Sequence, residues 1–240
     1  MQPDPIQKHS TAQSVILHLF PGILVGGFYF LARQPVARLG YPSVFAQMLA
    51  FALVLVPLEL GFLLVQGKKK SGRFSLGGIL GYRNSIPWWQ YIVWPILIFA
   101  VVGVIFTVFK PVDVFLQTRL FFWLPDINSG LDGQYSTPVL IVTYTLFLIF
   151  NVFLAPIVEE LYFRGYLLPR MQGRLAPLFH SFLFAVVHTF TPWMLITRTV
   201  GLLPLIFGTT RKSLYIGMIV HILANSVGFF TGIIYITRMI

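Results

Sequence analysis

The sequence predicts an all-α fold, a polytopic membrane bundle of about eight transmembrane helices, and three observations predict it. Of 240 residues, 57% are hydrophobic and 10% charged, against roughly 25% charged in a soluble domain. The apolar residues gather in runs long enough to cross a bilayer, which takes about 20 residues. The basic residues collect in the short loops between those runs. That placement directs the net charge of +10 away from nucleic acid and towards membrane topology and anionic lipid headgroups. There is no cysteine, which excludes disulfides, thiol catalysis and cysteine-ligated metals.

The opening MQPDPIQKHSTAQS is polar, and the apolar run after it lacks a small-residue cleavage site. It reads as a retained first helix rather than a signal peptide. Spans are expected over 14–32, 43–66, 89–109, 137–163, 176–190 and 193–209. The last apolar stretch, 213–237, is one long helix or, if Gly228 and Gly232 break it, two short ones. This gives seven or eight spans in a single integral membrane domain, 1–240, with a motif-bearing core at about 137–230. The aromatic segment 114–126 is either an interfacial helix or a loop packed over helix ends.

Orientation follows from loop charge. Lys68, Lys69, Lys70, Arg73 and Arg83 follow the second span, Arg170 and Arg174 the fourth, and Arg211 and Lys212 the sixth. These loops share one side, which is therefore expected to be cytoplasmic together with the N-terminus.

Ionisable groups within hydrocarbon cost at least a few kcal/mol each and need partners or a wet cavity. Here they are Glu59, Glu159, Glu160, Arg164, His188, Arg198 and His221, with the amides Asn151 and Asn225. Glu160 and Arg164 are four apart, with the acid N-terminal, the favourable order for a pair on one helix face. Glu159 is turned about 100° from Glu160 in a regular helix, so it points towards another helix and needs another use. Pro156 is expected to kink the helix beside it. His221 and Asn225 share a face, and so do Phe184 and His188. Each histidine alone is readily explained as a helix–helix hydrogen bond; three helices carrying Glu, His and His/Asn are harder to treat as separate packing features. Glu59, between Pro57 and Gly61, has no assigned role.

A carboxylate and an imidazole sharing a water can deprotonate it, and a second imidazole with an amide can stabilise an oxyanion. That set suffices for amide hydrolysis. No GxSxG and no HExxH occurs, so neither the serine route nor the common zinc helix is indicated. A Glu/His/His set leaves metal binding open.

EELYFR (159–164), FAVVH (184–188) and HILAN (221–225) resemble, in order, the three motifs of the CPBP/Abi family, which includes the type II CaaX prenyl endopeptidases, intramembrane glutamic proteases. The first 135 residues carry no motif. The resemblance implies that Glu159 and His188 activate water and that His221 and Asn225 form the oxyanion hole. It implies supporting roles for Glu160, Arg164 and Phe184, with no metal or other cofactor. It also implies an eight-helix core whose cavity opens to the cytoplasm and to lipid. The expected partners are membrane lipids and a membrane-associated or lipidated peptide substrate, with no nucleic acid. The expected location is a prokaryotic cell membrane rather than the endoplasmic reticulum. A non-enzymatic scaffold or bacteriocin-immunity protein that keeps the motifs is the alternative. A proton-coupled transporter is disfavoured, because no matching pair of broken helices is present.

Overall fold

Residues 6–239 are described by the structure, a computed structural model. Among them all regular structure is helical. The helices are α1 (Thr11–Arg38), α2 (Ser43–Ser71), α3 (Gln90–Arg119), α4 (Thr137–Arg170), α5 (Ala176–Val186), α6 (Pro192–Arg211) and α7 (Leu214–Thr237). Six are long and apolar enough to cross a membrane, and α5 is shorter.

Against the expected seven or eight spans, the described residues form seven helices, six of them long enough to cross. The last stretch does not break. Its glycines serve packing: a Cβ at Gly232 would penetrate the Tyr144 ring of α4, and one at Gly228 would come within 3.3 Å of Phe147. The absent side chains let α7 lie close against α4.

Two other boundaries move for identifiable reasons. α3 runs to Arg119 through Pro111, because bundle helices tolerate proline where neighbours compensate the lost bond. The segment 114–126 therefore forms no separate interfacial helix. Its first half finishes α3, and the chain then turns, with Leu124 N–H donating to Phe121 C=O at 2.9 Å. α5 ends at Val186, and Val187–Thr191 forms a turn before α6. Val187 and Thr189 press against Gly22 and Gly26, halfway along α1, where any Cβ would collide with them. α5 thus stops in the middle of the bundle.

The basic segments do gather at one end. His9 N–H donates to Arg170 C=O (2.8 Å) and Leu214 N–H to Tyr82 C=O (2.7 Å), while Arg170 Nη2 donates to Ile79 C=O (3.1 Å). At the other end Val44 N–H donates to Asn128 C=O at 3.0 Å. α4 is the central rod, packed against α1, α2, α5 and α7, whereas α3 lies outside on α6 and α7.

Candidate active site

α4 is not a uniform α-helix. It widens to π geometry over Phe147–Leu154 and again over Glu160–Leu167. Such wide turns often mark functional sites. The acid pair sits where the second one begins. Glu160 Oε1 lies 3.1 Å from Arg164 Nη1, both side chains fully buried, and the same oxygen lies 3.0 Å from His221 Nδ1. Glu159 Oε2 faces the other nitrogen, Nε2, of the same ring at 3.7 Å. Glu160 thus pairs with Arg164 and Glu159 faces another helix, as expected, and in addition both glutamates meet His221 of α7.

Room for this contact comes from Gly217, one turn before His221. A Cβ there would lie 2.8 Å from Glu160 Oε2. Gly217, His221 and Asn225 are spaced four apart and share one face of α7. The same spacing could have flagged the glycine in the sequence. Asn225 Nδ2 donates to Asn151 C=O at 2.8 Å, inside the first wide turn of α4. An amide carries two N–H donors, so one remains for a ligand.

His188 sits on the turn just past α5, not on the helix itself. The final carbonyls of a helix lack intrahelical partners, and Phe184 C=O lies 2.8 Å from His188 Nδ1. A carbonyl only accepts, so Nδ1 holds the proton and Nε2 carries the lone pair of the neutral ring. Phe184 is the hub of the cluster. Its ring centre is 3.8 Å from the Arg164 guanidinium, 4.9 Å from the His188 ring and 6.2 Å from the His221 ring. The guanidinium meets Glu160 off the N–H directions, and this cation–π contact adds to their attraction.

Glu159, His188, His221 and Asn225 line one cavity of about 270 Å³. Phe184 lines it too, while Glu160 and Arg164 lie behind its wall. Among the described residues, no nitrogen–oxygen contact within ion-pair distance joins Glu159 to His188; they share the cavity only. Glu59, Arg198, Asn151 and Gln47 also line it. Gln47 escapes a search for charges because its amide sits in an ordinary apolar run. Asp113, which lies beyond the span expected over 89–109, is buried in α3 and accepts from Thr197 Oγ1 at 2.5 Å. His18 and His180 pair with each other at 2.8 Å, joining α1 to α5 outside the cavity lining. Among the described residues no group of three His, Asp or Glu side chains could hold a metal ion.

The comparisons fall on these same helices. Residues 141–227 match the family model of Rce1-like, type II CAAX prenyl endopeptidases. The segment contains all three motifs and agrees with the CPBP resemblance read from them. No curated protein and no solved structure matches the chain.

Proposed function

We propose that this protein is an intramembrane glutamic endopeptidase that hydrolyses a peptide bond in a membrane-associated, CaaX-type lipidated substrate. The observation that carries the reading is the meeting of Glu159, His188, His221 and Asn225 around one cavity within the bundle. The match over residues 141–227 to a family of CAAX prenyl endopeptidases supports it. We take the whole chain as one membrane domain with its core at about 137–230. The cavity opens towards the end that carries the basic loops, placed in the cytoplasm.

The reaction needs a base for water and donors for the developing oxyanion. The Nε2 lone pair of His188 can accept a proton from a water that also bonds the Glu159 carboxylate. The free N–H of Asn225 then donates to the oxyanion, with His221 Nε2 as the second donor. Because Nδ1 of His221 faces Glu160, which Arg164 pairs as a carboxylate, donation from Nε2 as well requires the imidazolium form. The water oxygen bonds to the carbonyl carbon, the C–N bond breaks, and the proton taken from water passes to the leaving amine; because water is the nucleophile, no covalent enzyme intermediate forms.

The 3.7 Å separation of Glu159 and His221 favours a second assignment of the base. It exceeds a direct hydrogen bond, yet one water beside both groups could bond each. In that version His221, oriented by Glu160, shares the water with Glu159, and His188 serves the oxyanion from Nε2, which requires its imidazolium form because Nδ1–H is already given to Phe184 C=O.

A quenched lipidated peptide, assayed in detergent or lipid, tests the proposal. Glu159→Ala and His188→Ala should abolish cleavage in protein that remains monodisperse. Full activity in Glu159→Ala sinks the assigned glutamic mechanism, and no cleavage by the unmodified protein sinks the peptidase reading. Activity that survives His188→Ala but not His221→Ala selects the second assignment of the base. Loss of activity on strong chelation, restored by Zn²⁺, would replace the metal-free mechanism.

A further inference from the structure

A second hollow, about 320 Å³, lies at the basic end of the bundle and includes none of the cavity residues above. Three separate chain segments build it: the stretch before α1, the end of α2 with the loop after it, and the end of α4. Lys69, Lys70 and Arg170 line it, with the Gln66 amide beside them, and among the described residues no acid does. Like charges held together repel unless an anion separates them.

Two of the three cations are held in place rather than simply gathered. Arg170 Nη1 donates to Tyr166 C=O (2.7 Å) and Nη2 to Ile79 C=O (3.1 Å). Its guanidinium lies 3.7 Å from the centre of the Tyr166 ring. Lys70 Nζ donates to Gly78 C=O at 2.9 Å. The N-terminal wall is fastened by Lys8 Nζ to Pro169 C=O (2.8 Å) and by Gln172 Nε2 to His9 C=O (2.8 Å). His9 lines the hollow, and its Nδ1 is buried with no partner among the described residues. Burial, and then the Arg170 charge, lowers the pKa of His9, so at neutral pH the ring contributes a hydrogen-bonding group rather than another charge.

Depth indicates the source of the anion. α2 has 29 residues, or about 44 Å at 1.5 Å each, against about 30 Å of hydrocarbon. Its final turn, with Lys69 and Lys70, therefore reaches headgroup level. From this geometry we propose that the hollow is a binding site for a phosphate group, supplied by an anionic lipid headgroup or by free phosphate. The proposal is independent of the peptidase reading.

The test uses the full chain in phosphatidylcholine bilayers with and without phosphatidylglycerol, counting retained lipid by native mass spectrometry. A second arm follows thermal unfolding of delipidated protein with inorganic phosphate. Each lysine near an anionic surface contributes about fivefold in affinity, so Lys69→Gln with Lys70→Gln should weaken binding roughly thirtyfold. Both side chains are exposed and the substitution keeps their length, so the variant should fold. Lys68→Gln is the control, because Lys68 stacks on Phe74 at 4.6 Å outside the hollow; it should lose no more than the roughly fivefold of one surface charge. Selective retention of phosphatidylglycerol, lost only in the double variant, supports a headgroup site. Stabilisation by phosphate alone, lost in the same variant, supports the site with free phosphate as its source. Equal loss in Lys68→Gln reveals diffuse attraction and overturns the proposal, as does the lack of any response in both arms.

Discussion

α3 and α4 are both long apolar rods, 30 and 34 residues, yet in the most apolar window of α3 11% of residues are buried, against 33% in α4. α3 is regular and most of its side chains face outward. Its one buried acid, Asp113, is bonded to Thr197. α4 is wide in two places and holds two glutamates and an arginine against α7. Apolar length is enough to make a helix lie in a membrane. Buried charge, and the neighbours that compensate it, marks the helix that can carry chemistry.

Substitutions can break or sharpen this contrast, and their effects should descend in order. Arg164→Met in α4 strands Glu160 in the interior. Breaking a buried pair typically costs about 3–5 kcal/mol, so thermal unfolding in detergent should fall steeply or the protein should fail to accumulate. Asn225→Ala removes a proposed oxyanion donor, and peptidase turnover should drop about 10²- to 10³-fold with little change in unfolding temperature. Gly217→Ala forces a methyl towards Glu160. Overpacking of this kind costs about 1–3 kcal/mol, visible as a lower unfolding temperature and a weakened His221 contact. Val104→Leu on the outer face of α3, 63% exposed, should stay within about 0.5 kcal/mol and leave turnover unchanged. A large effect there would show that α3 carries more than lipid contact.

Much of the fold was legible in hydropathy, because each span is a run of apolar residues bounded by charge or a turn. The ends were less legible: the third span runs ten residues past its expected end, through Pro111, and of the two readings of the last stretch the unbroken one holds despite Gly228 and Gly232, since neighbouring helices decide what such residues do. For the site, spacing pointed to the Glu160–Arg164 pair and to the shared face of His221 and Asn225. It could not show that His221 also reaches Glu160, because that contact depends on how closely α7 approaches α4 at Gly217. Nor could spacing reveal that α5 stops early and carries His188 on a turn. That follows from the fit of Val187 and Thr189 against the glycines of α1.

Glu160 Oε1 takes both Arg164 and His221, and this bears on how the cluster could change over generations. Loss of any one member leaves the other two mismatched inside the bundle, so each one-step route away from the trio crosses a poorly folded or inactive intermediate. The three residues should therefore be inherited together or replaced together. Chains that have abandoned the chemistry are expected to have exchanged all three.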